Sequence, residues 1–183
     1  MAKWTNNDGL VVKFGADEGD KVLGGEILAG SDDIHTIQFY INYTDALSAT
    51  NAVLGSASGT TDGAYGVLVP KGARIKALET IAESAFTSSG TIGSSTMLIG
   101  LKKWSDLSTE LDHDGFTTSS FVGGVFDAAG ERTYVTIGTT GAGALIGTTL
   151  SEAGVISCSN SAHASHPYTA GKLRCRLEYY FIS

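Results

Sequence analysis

The chain has 183 residues, 42% of them apolar, which argues against a disordered chain and fits one domain with a real core. Its net charge is −7, and its 12 Lys and Arg form no long run, which argues against direct nucleic-acid binding and against attraction to an anionic membrane. Only 2 cysteines are present, too few for a disulfide framework, and the 24 glycines and 2 prolines favour short strands and tight turns over long helices.

Residues 1–20 read as an extended arm carrying one short strand at 11–14, and residues 21–183 as a single β-sandwich domain. Met1-Ala2-Lys3-Trp4-Thr5 does not open a signal peptide, and no apolar stretch approaches membrane-spanning length, so synthesis in a cytoplasm is expected. Trp4, Leu10 and Phe14 are large apolar groups in this polar arm; outside a core, such groups are what an interface uses, and for Trp4 anchoring on a neighbouring subunit and folding back onto its own domain both stay open. Ile37, Phe39, Ile41 and Tyr43 alternate with Thr36, Gln38, Tyr40 and Asn42, which predicts a half-buried strand. Asn42-Tyr43-Thr44 fits a glycosylation acceptor but falls in that strand. Residues 44–65 form a long loop rich in Ser, Thr, Ala and Gly.

A strand at 66–69 runs into Pro70 and Gly72, a corner that ends pairing and bends the chain. The next segment is ambiguous. Ile75, Leu78, Ala82 and Ala85 have helical spacing, with Lys76, Glu79 and Glu83 suited to a helix surface. The Pro-x-Gly entry favours a strand or strand pair. Further strands are expected at 96–101 and 153–158, and Thr133, Val135 and Ile137 alternate with Arg132, Tyr134 and Thr136. Residues 117–129 read as a short helix or irregular piece, and 138–149 as a second long, small-residue loop. Trp104, Phe116, Phe121 and Phe126 are expected mostly in the core. The clearest strand is the last: Leu173, Cys175, Leu177, Tyr179 and Phe181 on one face, Lys172, Arg174, Arg176 and Glu178 on the other. Cys175 therefore reads as a buried thiol; whether Cys158 lies near it is open.

Candidate sites are sparse. Asp112-His113-Asp114-Gly115 is the most ligand-like cluster, since two carboxylates one residue apart can clasp a hard cation. A calcium loop would need an oxygen ligand at Phe116 and a Glu at Gly123, so a solvated turn is the plainer reading, as for Asp17, Glu18 and Asp20. His163 and His166 with Cys158 make an incomplete zinc set and read as exposed histidines, as does His35 beside Asp32 and Asp33. Gly141-Ala142-Gly143-Ala144-Leu145-Ile146-Gly147 lacks the helix of a dinucleotide loop. Gly55-Ser56-Ala57-Ser58-Gly59 has Ala57 where an elbow serine would stand. No catalytic residue, cofactor or metal is assigned.

Three ordered stretches stand out: Val67-Leu68-Val69-Pro70-Lys71-Gly72-Ala73-Arg74-Ile75, Ala85-Phe86-Thr87-Ser88-Ser89-Gly90 and Met97-Leu98-Ile99-Gly100-Leu101. With Lys3-Trp4-Thr5-Asn6-Asn7-Asp8-Gly9-Leu10, Lys13-Phe14-Gly15, Thr169-Ala170-Gly171-Lys172-Leu173 and Leu177-Glu178-Tyr179-Tyr180, this order resembles the head-decoration, or cement, proteins of tailed-phage virions. The resemblance implies an all-β, antiparallel sandwich of the jelly-roll kind and a non-enzymatic role. It also implies a homotrimer on the outside of an icosahedral head, with the major capsid protein as partner and no contact with DNA or membrane. An alternative is a jelly-roll receptor- or glycan-binding module of a phage tail, with Asp112 and Asp114 holding calcium. A cupin-like enzyme is more remote, because the chain has only 4 His and no close group of them.

Overall fold

The computed structural model describes residues 2–5, 11–14, 26–29, 34–46, 52–54, 66–118 and 126–181, with side chains from residue 34 onward. Twelve strands and two 3-10 turns are present, with no α-helix among the described residues. The strands are β1 (Ala2–Thr5), β2 (Val11–Phe14), β3 (Glu26–Ala29), β4 (Ile34–Asn42), β5 (Ala52–Val53), β6 (Leu68–Val69), β7 (Ala73–Ser88), β8 (Met97–Lys103), β9 (Asp106–Thr117), β10 (Arg132–Thr136), β11 (Gly154–Asn160) and β12 (Tyr168–Phe181).

Every strand pairing is antiparallel. One sheet runs β10–β7–β12–β4–β3 and the other β5–β11–β8–β9, with β6 also on β11. Their inner faces share one core: Ile37, Phe39, Leu78 and Leu177 from the first sheet, Ile99, Leu101, Phe116 and Ile156 from the second. This is an antiparallel β-sandwich, as the alternation of β4 and β12 predicts. Ile37, Phe39 and Ile41 are buried, as are Leu173, Cys175, Leu177 and Tyr179. The alternation stops short of Phe181, which is 44% exposed, and Tyr43 has left the strand for a 3-10 turn.

The ambiguous segment is one strand of 16 residues, β7. Its helical spacing has a physical cause. Glu178 pairs with Ala77 and the next residue, Tyr179, with Ile75, so β7 carries an extra residue there. That bulge resets the phase between Ile75 and Leu78, both fully buried, and mimics a three-residue helical step. Pro70 and Gly72 (φ 84°) make the corner that carries the chain from β6 in one sheet to β7 in the other.

Three expectations are corrected. Asp112–Gly115 does not form a turn; it lies inside β9, where the two-residue step from Ile99 to Leu101 on β8 is matched by a five-residue step from Asp112 to Thr117 on β9. Ile137 lies beyond β10 and is 69% exposed, leaving Val135 as the buried residue. Trp104 is 55% exposed at the β8–β9 connection, whereas Phe116 and Phe126 are buried; Phe121 is outside the described residues. The expected irregular piece survives as bends at 126–128, and 119–125 lie outside the described residues.

The 138–149 loop is built of turns, with positive φ at Gly138, Gly141 and Gly147. It extends the first sheet: Gly147 N–H donates to Ile75 O (2.7 Å), Ile75 N–H to Thr148 O (3.0 Å) and Leu150 N–H to Ala73 O (2.9 Å). Most of the 44–65 loop is outside the described residues.

Candidate functional site

The β9 bulge is held by glycines on either side. A Cβ at Gly100 would sit 2.1 Å from Asp112 O, and one at Gly143 would sit 2.1 Å from Asp114 O. The absence of side chains at both positions lets the bulged backbone lie between β8 and the 138–149 loop. After the bulge, Thr117 restores the ladder: Ile99 N–H donates to its hydroxyl (2.8 Å), which donates to Met97 O (3.3 Å). The glycine-rich stretch at 141–147 is thus a packing device, and Asp112–Gly115 is what it packs.

The bulge presents Asp112, His113 and Asp114, whose nearest ligand atoms lie within 4.8 Å of one another. Partial burial, then the adjacent Asp114, pushes the Asp112 carboxyl above its ordinary range. Three side chains fall short of the six to eight oxygens that calcium takes. At the start of β9, Asp106 accepts from the Ser108 hydroxyl (2.6 Å), the Thr109 hydroxyl (2.6 Å) and Ser108 N–H (3.0 Å). Those donors pull its carboxyl down to about 2.

The histidines do not gather. His166 is only partly exposed, and its Nδ1 accepts Thr91 N–H at 3.0 Å. Its carbonyl accepts from Ser95 Oγ and Asn160 Nδ2, both at 2.8 Å. His166 therefore ties the 89–96 and 160–167 turns together at one end of the sandwich, and is not the exposed residue expected. His163 is partly buried, with its Nδ1 shut off from solvent. His35 stacks on Tyr179 at 5.2 Å and meets the edge of Phe181 at 5.4 Å. Cys158 and Cys175 are both free and buried, and enter the core from opposite sheets. Cys158 Sγ donates to Asp45 O (3.3 Å). Burial pushes both thiols well above their ordinary range. Asp17, Glu18, Asp20, Asp32, Asp33 and the 55–59 segment lie outside the described residues.

The arm is a hairpin rather than a single extended strand. β1 pairs with β2 so that Trp4 is opposite Val12 and Ala2 opposite Phe14; Leu10 falls outside the described residues.

The most developed polar surface is the outer face of the β10–β7–β12–β4 sheet. Glu79, with its side chain 14% exposed, lies between Arg132 (3.3 Å) and Arg176 (3.3 Å). Lys76 meets Glu178 at 3.1 Å, and the Tyr134 hydroxyl donates to the same carboxylate at 3.2 Å. Lys172 bonds Glu83 at 2.9 Å and lies 4.4 Å from the centre of the Tyr40 ring. The hydrogen bond and charge of Glu178 push the Lys76 ammonium up, and burial, then Glu178, pushes the Tyr134 phenol up. Reading β12 alone yields its cations but not their partners. Those sit on β7, where Lys76, Glu79 and Glu83 follow the helical spacing that the bulge imposes. No protein-family model matches the chain, and no curated protein is significantly similar to it.

Proposed function

We propose that this protein is a non-enzymatic decoration protein of a tailed-phage head, which binds the assembled lattice from outside and stabilises it. The observation that carries the fold part of the reading is the connection of its strands. The order β4–β12–β7–β10 opposite β5–β11–β8–β9, with β6 sharing β5's place on β11, is what we read as the double Greek key of a jelly roll. Jelly rolls serve both viral capsids and lectins, so fold alone does not choose between them. The choice rests on the resemblance of the residues that build the β6–β7 corner, the β7–β8 connection and the two ends of the chain.

The mechanism is adhesive. A protein that binds only the assembled lattice stabilises it by mass action. Grouping copies as a homotrimer multiplies weak contacts through effective concentration. The arm hairpin, through Trp4, Leu10 and Phe14, is proposed to contact neighbouring subunits or the major capsid protein. Each such side chain buried on a partner contributes about 1.5–3 kcal/mol before ordering costs.

Cryo-electron microscopy of virions carrying the protein tests the proposal. A regular array of density on the head is expected. Density restricted to the tail tip would overturn it in favour of a receptor- or glycan-binding module.

A further inference from the structure

The charges of this chain are segregated. Strand register turns Arg74, Arg132, Lys172, Arg174 and Arg176 to the outer face of the β10–β7–β12–β4–β3 sheet, and the bulge residue Lys76 joins them there through its ion pair with Glu178. That is half of the 12 cations in the sequence. Glu79, Glu83 and Glu178 share the face, and the register position of Glu26 opposite Gln38 adds a fourth carboxylate at its edge. The face is therefore positive by two charges. The remainder of the chain holds the other six cations and the other 15 of 19 carboxylates, a deficit of nine.

The pairs within the face leave donors free. The Arg132 side chain is 64% exposed, with one ion pair, to Glu79. The Arg174 side chain is 39% exposed; its Nε is shut off from solvent and lies 4.0 Å from Glu83, too long for a hydrogen bond, so its exposed part is the part open to a partner. Tyr40 and Tyr134 are 38% and 46% exposed between these cations and supply apolar contact area. The opposite charge is concentrated at β9, the edge strand of the other sheet. It carries Asp106, Glu110, Asp112 and Asp114, and no Lys or Arg.

We propose that a second copy of this chain docks its acidic β9 edge on the basic outer face of the first. The two surfaces differ, so the contact is head-to-tail. It closes into a ring where the rotation permits and otherwise propagates. The inference deepens the self-association part of the proposed function and does not depend on the capsid part, because it concerns purified protein in solution.

Sedimentation velocity on the full chain is the test. Self-association should weaken at least ~tenfold between about 50 mM and about 500 mM NaCl, as screening shortens the reach of the charges. The Arg132→Glu, Arg174→Glu variant should stay monomeric, as should the Glu110→Lys, Asp114→Lys variant. An equimolar mixture of the two should associate 1:1, because the intact acidic edge of the first meets the intact basic face of the second, and the reversed face of the first matches the reversed edge of the second. Circular dichroism checks that each variant keeps its β spectrum. If either unfolds, Arg132→Gln and Glu110→Gln replace them, and each must weaken association. A wild type that stays monomeric at low salt would overturn the proposal, as would association indifferent to salt and variants, or folded variants that form no mixed complex. Head binding by a monomeric variant is a separate readout, so the capsid reading can fail or survive independently.

Discussion

Replacing Gly143 by Ala tests the account of the β9 bulge most directly. The added methyl would lie 2.1 Å from Asp114 O, 2.3 Å from Gly115 C and 2.4 Å from Gly115 O. All three are backbone atoms, so no side chain can rotate away. Ordinary contact begins near 3.4 Å, so the bulge or the 138–149 loop must shift by more than an ångström. Overpacking of this kind costs about 3 kcal/mol, the upper part of its usual range. For a domain of this size that corresponds to a fall in Tm of about 6–12 °C. Thermal denaturation followed by circular dichroism measures it, with two internal controls. Gly93→Ala meets nothing within 4 Å and has no positive φ, so it should be neutral or slightly stabilising. Gly130→Ala also meets open space but has φ +89°, and should cost about 1 kcal/mol through backbone strain alone. Gly100→Ala, facing Asp112 O from the other side, should match Gly143→Ala, and the double variant should cost less than the two added, since both displace one bulge. If Gly143→Ala melts within about 2 °C of Gly93→Ala, the bulge is not wedged as described.

Asp112→Asn should raise Tm near neutral pH, because burial disfavours the charged carboxylate and holds its folded pKa above the unfolded value. The gain should shrink as pH falls through the folded pKa and vanish below about 4, where Asp112 is protonated in both states; a gain unchanged with pH would refute this cause. Asp106 has the opposite sign: its folded pKa, about 2, lies below the ordinary 3.8. Its contribution is full above about pH 4 and is lost as pH falls through about 2, so melts of wild type and Asp106→Ala should differ at neutral pH and converge in acid. Cys158 and Cys175 should react with a thiol reagent only as fast as the domain opens, since both are buried with raised pKa. Rapid labelling of native protein would contradict their place in the core. Melts with calcium and with chelator should coincide, and a large calcium-dependent rise in Tm would show that the Asp112–Asp114 bulge gathers further ligands.

Period-two alternation exposes β4 and β12 because each has one face on the core and one in water. β8 and β11 are legible for another reason: they lie inside their sheet and are buried along nearly their whole length. β7 is harder. Its bulges break the phase, so the core residues Ile75 and Leu78 look like turns of a helix while Glu79 loses its link to Arg176, nearly a hundred positions later. β9 leaves almost no signal. An edge strand with Asp106, Ser108, Glu110 and Asp112 at alternate positions has little apolar pattern, and its bulge looks like a turn sequence. The His166 tether is invisible for a different reason: each of its bonds has a backbone group at one end, the Thr91 N–H or the carbonyl of His166 itself, and Thr91 and Ser95 lie more than seventy positions away.

The central place of β12 governs how the domain can be made. β4 and β7 do not hydrogen-bond to each other; each is joined to β12, and β10 reaches the sheet only through β7. The register sets Leu173 against Ile41 and Leu177 against Leu78, contacts between distant parts of the chain. Such topology places folding in the millisecond-to-second range rather than the microsecond range of locally connected bundles. On the ribosome, the β10–β7 and β4–β3 pairs can form early, but the edges of β7 and β4 that flank β12 must wait until that strand is synthesised. The bulges of β7 then have a second use: they make its waiting edge a poor template for a neighbouring nascent chain.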